Sequence, residues 1–472
     1  MDRNMEVIMK TQEKSAVAEK DKIGVWGKLC YSIGYAGENG FQTIFNSYCM
    51  IFLMSVGGVS TAFVGTMMML ARIWDAINDP ILGTIADHTN TRWGKYRPYF
   101  IGSIIPMAIL FVALFSVPPL GTTGKMIYYT IVYTLYGMCY TVVEVPYFGM
   151  VGAMSNDPQE RASVTAWSRI AARIPAFAMP LLLGYMTATL GDQKGYSTTA
   201  IIIGAIAIVT ALFSFFGCKE KAVQPQPEKK KGSAWKDFLN VLRGNRALLV
   251  VMLVQLFFTF NSILCEMLNT YYVTYSLGSP GLITGVAVSL VAVGACIGQF
   301  FYPYVLTKLK SCKTVMLIGT PIYIGTLALS YFMGRISLPA YLVVLVLSNM
   351  LVGALQINVI QLCFEVCDVL EYKNHVRTDA TVFSVVSFLM KLAAGGAATI
   401  AGWGLKLCGF QGMGPVMGEV TQSMANGVAI LRFAMPGCLA LIAFLLCFLY
   451  PIKREEIVQV REALAQRHEA ES

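Results

Sequence analysis

Arg72, Asp75 and Asp79 stand in the otherwise apolar stretch 67–87, MMMLARIWDAINDPILGTIAD. Spacings of three and four residues put all three side chains on one face of a helix. Asp75 lies twelve residues before Asp87, where the stretch meets a basic loop. At helical rise that is roughly 18 Å, mid-depth in a hydrocarbon core of ~30 Å. An unpaired charge there costs from ~2.5–3.5 kcal/mol on insertion scales to ~10–17 kcal/mol in simulation, so these groups need partners, water or an ion. Lys391 is the main charge of the second half of the chain. Eleven residues into its span, ~16 Å deep, it is the expected salt-bridge partner of Asp75. Glu38 and Asn39 interrupt the first apolar segment and likewise require a polar cavity.

The elements that position these groups follow from composition. A chain of 472 residues that is 56% hydrophobic and 13% charged is no soluble globule. Windows of about 20 apolar residues predict twelve membrane helices, starting near Leu29, Thr61, Tyr99, Met126, Ser163, Ala200, Ala247, Gly281, Thr314, Leu338, Ala380 and Gln422. The fold class is therefore an all-α polytopic membrane protein. The net charge of +9 reads as topology rather than nucleic-acid binding. Lys and Arg crowd the N-terminal tail, the loop with Arg92, Lys95 and Arg97, the central loop at 229–236 and the C-terminal tail, while the alternate loops hold little beyond Lys125, Lys194 and Arg335. Both termini are thus expected in the cytoplasm. The N-terminal 28 residues lack the apolar core of a signal peptide, so no cleaved leader is expected. Most of the twelve Cys fall within spans without a CxxC pair and read as packing residues; three His make a zinc or histidine-based site improbable. No nucleophile and base pair stands out, so no enzyme activity and no cofactor are expected.

One long polar interruption, 218–246, separates a six-helix half at 29–217 from another at 247–450, with tails at 1–28 and 451–472. A 6+6 layout with a basic central loop is that of major facilitator transporters, whose halves enclose a midplane site. The stretch Gly83 to Lys95 resembles that superfamily's loop motif through Gly83, Asp87, Arg92, Gly94 and Lys95. Asp87 at a helix C-terminus opposes the dipole and needs a cation such as Arg92; the resemblance implies a latch on the cytoplasmic face.

A more specific resemblance rests on ARIWDAINDPILG at 71–83, LCYSIGYAGENGF at 29–41, TVVEVPYFGM at 141–150, Arg161 and Arg169, and SVVSFLMKLAAGGA at 384–397. On these motifs the chain is identified as a member of the glycoside-pentoside-hexuronide:cation symporters, along nearly its whole length. The resemblance implies that Asp75 and Asp79 bind the coupling cation, with Thr141 as a hydroxyl ligand. Physical chemistry agrees, since Na+ or Li+ wants hard oxygens and H+ a carboxylate whose charged form burial disfavours. Pro80, lacking an N–H, frees the carbonyl of Ala76 as a further ligand. A structural ion-pair cluster of Arg72, Asp75 and Asp79 is the alternative.

The same resemblance assigns substrate binding to Asn39, Arg72, Glu144, Phe148, Arg169 and Lys391. Glu144 stands where the melibiose-carrying members have Asp, Phe148 where they have Trp, and Asn39 where they have Asp; a structural Glu144–Arg169 pair is the alternative. Asn39 without negative charge is compatible with an acidic sugar. Arg161, Asp368 and Arg377 join Asp87, Arg92 and Lys95 as gating charges. Glu266 reads either as a substrate contact or as a partner for an arginine. The expected function is symport of a sugar or glycoside (glucuronide, pentoside or galactoside) with Na+, Li+ or H+, by a monomer in the cell membrane. A lysolipid carrier of the same fold and a non-transporting sugar sensor are the alternatives.

Overall fold

The computed structural model describes residues 22–88, 91–155, 157–220, 245–279, 281–374, 379–410 and 420–452, with 455–457, 459–460 and 463. Among them the regular structure is helical. In chain order the helices are α1 (Val25–Ser55), α2 (Thr61–His88), α3 in two pieces (Arg97–Gly102 and Ile104–Leu114), α4 (Thr122–Met154), α5 (Pro158–Leu190) and α6 (Asp192–Gly217). After the central segment come α7 (Arg246–Tyr271, continued by a wider π turn at Tyr272–Ser276), α8 (Leu282–Leu309), α9 (Cys312–Ile336), α10 (Leu338–Asn374), α11 (Asp379–Leu407) and α12 (Gln422–Phe448). The break in α3 falls at Ser103, three residues before Pro106, which has no N–H to give the carbonyl of Gly102.

Ten of these helices, α3 to α12, are long and apolar enough to cross a membrane, which makes this a multi-pass membrane protein. The two that fall short in apolarity, α1 and α2, have 31 and 28 residues and are long enough. Their deficit is Glu38 and Asn39 in one and Arg72, Asp75, Asp79 and Asp87 in the other. Several helices begin earlier than the apolar windows predict, at Thr122 rather than Met126 and at Asp192 rather than Ala200. A polar first turn is helical yet invisible to a hydropathy window. Side chains that cap such ends include Asp157 on the N–H of Gln159, Ser311 on that of Thr314 and Thr421 on that of Met424.

Packing groups the described residues into two compact units, one within Met1–Phe45 and Ile77–Glu228, the other within Asn46–Ala76 and Lys229–Ser472. Each of α1 and α2 therefore contributes to both. In the first unit Phe45 packs 5.1 Å from Tyr133 and 4.8 Å from Tyr136, and Lys28 pairs with Glu160 at 2.8 Å, which ties the start of α1 to the start of α5. All twelve Cys are free thiols, eight of them buried.

In the second unit α2 crosses α11 with almost no side chain between the backbones. A Cβ on Gly65 would lie 2.7 Å from the carbonyl of Ala398, and one on Gly402 would lie 2.5 Å from that of Thr61. Without a hydrophobic driving force between helices in lipid, such close approach supplies the dispersion that holds them. The Trp403 indole N–H donates to the Thr66 hydroxyl at 3.3 Å and fixes the register. The same crossing brings Arg72 past Gly395, where a Cβ would be 3.3 Å from the Arg72 Cβ. Gly396 instead faces Phe260 of α7.

Gly402→Leu should accordingly lower thermal stability by the usual overpacking cost of roughly 1–3 kcal/mol. Gly325→Ala in α9, where nothing lies within 4 Å of an added Cβ, should leave the melting temperature unchanged or slightly raised. Unfolding curves of the detergent-purified protein read both.

Candidate functional site

Asp75 is 5% exposed in the second unit. The Arg72 guanidinium, one turn earlier on α2, approaches its carboxylate at 3.5 Å and remains the more open of the two. Lys391 reaches the pair from α11, close enough to act electrostatically on Asp75 and Arg72 alike. Two cations thus attend one carboxylate, a surplus of positive charge that a second acid would balance. Asp79, a turn further along α2, has its side chain outside the described residues, as does Asp87. Asn78 between them is buried, and its amide nitrogen finds no hydrogen-bond partner among the described residues.

The first unit gathers a different set. Asn39 donates both amide hydrogens, one to the carbonyl of Tyr35 at 2.9 Å and one to Glu38 Oε2 at 3.1 Å. Only its carbonyl oxygen is left to meet a ligand, and that oxygen is an acceptor. Glu38 is 2% exposed, and beyond the Asn39 amide the Tyr140 hydroxyl lies near its carboxyl. Glu144 is the charged neighbour that acts on it, and the Tyr140 hydroxyl, one turn before Glu144 on α4, donates to Glu144 at 3.1 Å. Arg169 of α5 is exposed and acts on the Tyr35 ring hydroxyl. Phe148 is 51% exposed, its ring 6.5 Å from that of Tyr35, so one face is open. Thr141 is buried, with its hydroxyl donating to the Gly137 carbonyl at 3.3 Å.

Sequence reasoning named Glu38 as needing a polar cavity but did not place it beside Asn39 and Glu144. Nor did it single out Tyr140 or Tyr35, although the four-residue spacing of Tyr140 and Glu144 was there to read.

The basic loop after α2 has a partner that the motif does not contain. Glu220, beyond α6, accepts from the backbone N–H groups of Lys95, Tyr96 and Arg97 at 2.8, 2.8 and 3.1 Å. These are the free donors at the start of α3, an anion cradle. Gly94 at φ +111° makes room for it, since a Cβ there would lie 2.5 Å from the carboxylate. The Lys95 ammonium lies over Tyr96 and the Arg92 guanidinium over Trp93, at 5.0 and 4.5 Å from the ring centroids. Arg161 closes the end of α4, donating to the carbonyls of Ser155 at 2.6 Å and Gly152 at 3.4 Å. Asp368 is half-buried on α10, and Arg377 lies outside the described residues.

Glu266, left open between two roles, accepts from Ser47 at 2.9 Å, and Thr270 donates to the Ser47 carbonyl at 3.0 Å. Arg432 of α12 went unmentioned in the sequence reading and is the most buried cation described, 4% exposed. Its Nη1 donates to the Cys265 sulfur at 3.2 Å, and the hydroxyls of Tyr272, Tyr323 and Tyr341 surround it. Tyr323 and Tyr341 pass the network on to Asn261 and Asn269, at 3.1 and 2.6 Å. Among the described residues no carboxylate lies within ion-pairing distance of Arg432. A lone Arg ten residues into an apolar 27-residue helix was its sequence signal.

The profile of the family described as MFS/sugar transport protein matches residues 30–454. The chain is 28% identical over 455 residues to the inner membrane symporter YicJ of Escherichia coli, covering 95% of this chain and 96% of the relative. It is 25% identical over 404 residues to the isoprimeverose transporter of Lactiplantibacillus pentosus, covering 84% and 83%. The fold matches a bacterial homologue of the human lysosomal transporter Spinster in an inward-facing, unoccupied conformation, with a TM-score of 0.66 at 15% identity over 92% of this chain and 98% of that one.

If Arg72, Asp75 and Lys391 share charge, Asp75→Ala leaves two cations stranded and should cost about 3–5 kcal/mol. Adding Lys391→Ala should return part of that loss. Thermal unfolding of the two variants tests the coupling, and a double variant no more stable than the single would separate Lys391 from Asp75.

Proposed function

The chain belongs to the MFS/sugar transport protein family, within the glycoside-pentoside-hexuronide:cation symporters, and on that premise we propose that it moves a sugar or glycoside together with Na+, Li+ or H+ by alternating access. The observation that carries the substrate reading is the buried Glu38 in company with the half-buried Asn39 and Glu144 in the first unit. Glu38 and the side-chain carbonyl of Asn39 offer acceptors there beside Glu144, with the Tyr140 hydroxyl as a near donor. A polyol supplies further donors as hydroxyl groups, and leaving such acceptors unpaired in a buried place is costly. Arg169 adds a donor for ring or glycosidic oxygens, and the open face of Phe148 covers sugar C–H groups. The isoprimeverose transporter among the relatives supports a sugar as cargo.

The coupling cation is assigned to Asp75 and Asp79, one turn apart on α2, and the family pattern adds the Thr141 hydroxyl. A cation at Asp75 competes with Arg72 and Lys391 for the same carboxylate, and this competition links binding to a change in the charge cluster. Coupling is then the difference in sugar affinity with and without the cation. Arg92, Lys95, Arg161 and Asp368 are assigned to the gate, with the termini in the cytoplasm and the six-helix halves 29–217 and 247–450 as the moving bodies.

Counterflow of radiolabelled glycosides, pentosides and glucuronides in proteoliposomes, under imposed Na+, Li+ or proton gradients, tests the assignment. Uptake indifferent to all three gradients would sink it. Asp75→Asn should abolish cation stimulation while glycoside binding persists. Glu38→Ala, which removes a buried hydrogen-bonding carboxyl worth ~0.5–1.5 kcal/mol, should weaken binding of the best glycoside about 2- to 10-fold and leave the dependence on cation concentration in place.

A further inference from the structure

On the surface of the second unit α9 and α12 leave a groove of about 440 Å³. The two helices run antiparallel along it, as the Tyr331–Phe433 ring contact and the Arg335–Asn426 hydrogen bond at their adjoining ends show. Its walls are apolar, with Leu327 and Phe332 from α9 facing Ile430 and Leu441 from α12. Phe332, Ile430 and Leu441 are 59%, 58% and 46% exposed, so the groove opens to the surroundings of the protein. Along α9 it extends from Ile324 to Phe332 and along α12 from Ile430 to Leu441. At helical rise these spans are about 12 and 16 Å, the depth of one leaflet in a ~30 Å hydrocarbon core.

One end of the groove is marked by charge. Arg335, one turn beyond Tyr331, is exposed, stacks its guanidinium 4.5 Å over the Tyr331 ring and donates to Asn426 at 3.3 Å. Asn426 is itself one turn before Ile430. A cation is thus held by both helices at the level where a headgroup sits above a chain one leaflet long. Gly437 gives the groove its depth. An added Cβ there meets nothing within 4 Å, so no neighbouring helix in the described structure uses its small size. Glycine in a helix interior is otherwise unfavourable by roughly 1 kcal/mol against Ala.

We propose that this groove seats one acyl chain of an anionic phospholipid whose phosphate pairs with Arg335. A zwitterionic lipid of the same chains brings a second cation to the guanidinium and gains less, whereas a headgroup of net negative charge is matched. The inference needs the chain only to span a membrane, and is independent of the sugar and cation assignments.

The test uses the full chain, delipidated in detergent and titrated with phosphatidylglycerol or phosphatidylcholine of identical chains. Retention is read by native mass spectrometry and stabilisation by thermal unfolding. Wild type should hold one phosphatidylglycerol at least tenfold more tightly than phosphatidylcholine. Arg335→Gln should remove that preference, and Arg335→Lys should keep part of it. Gly437→Leu fills the groove from open space, so it should fold without lipid as well as wild type and lose tight binding of either lipid. Equal affinity of wild type for the two lipids would overturn the proposal. So would a preference that survives Arg335→Gln, or tight binding that survives Gly437→Leu, the latter leaving a headgroup contact with no seated chain.

Discussion

A charge in hydrocarbon cannot stand alone, and much of this chain's architecture follows from where its buried charges find company. Asp75 has Arg72 on its own helix and Lys391 from α11. Lys391 could not reach it if α2 and α11 were kept apart by side chains. Gly65, Gly395 and Gly402 remove that separation, so the backbone contact and the electrostatic contact are one design. Because lipid gives no hydrophobic push toward helix association, the close crossing must hold by dispersion and by the Trp403–Thr66 bond, and the charges gain a fixed geometry from it.

Arg432 meets the same constraint by another route. Its surroundings are a sulfur and three phenols, which are acceptors of modest strength, continued by Tyr323 and Tyr341 to Asn261 and Asn269. Neutral partners spread the cost over a network instead of cancelling the charge. The contrast matters for function. A cation held by a carboxylate is released when that carboxylate binds something else, whereas one held by neutral hydroxyls has no such exchange to make. The proposed cation site thus falls on the set whose charges can exchange partners, Asp75, Arg72 and Lys391, whereas Arg432 is held by neutral groups.

The helices were legible because hydropathy reports hydrocarbon-facing length directly; their ends were not, since the first turns of α4 and α6 are polar. That Lys391 comes near enough to act on Asp75 accords with their similar depth, since two opposite charges at one depth have few other options. Glu220 could not be foreseen at the Gly94–Lys95 turn, since its partners there are backbone N–H groups that any sequence carries. Arg432 escaped notice for a related reason. Cys265, Tyr323 and Tyr341 count as apolar in any composition reading, and only the fold reveals that their polar atoms converge on one guanidinium.

Asn39 shows what the fold adds to a local comparison. Taken as a departure from a family Asp, it reads as the loss of a negative group and as compatible with an acidic sugar. In the folded chain its amide is bonded to the acid of the preceding residue, Glu38, with the Tyr140 hydroxyl near the same carboxyl. The acidic function is displaced by one position along α1 and buried, with Glu144 beside it. Two acids and an amide carbonyl make an acceptor-rich surface, and a carboxylate on the substrate would add an acceptor where donors are wanted. On the proposed reading the hydroxyl donors of a sugar meet these acids, and Arg169, the cation on this unit that acts on Tyr35, stands ready for an acceptor on the substrate.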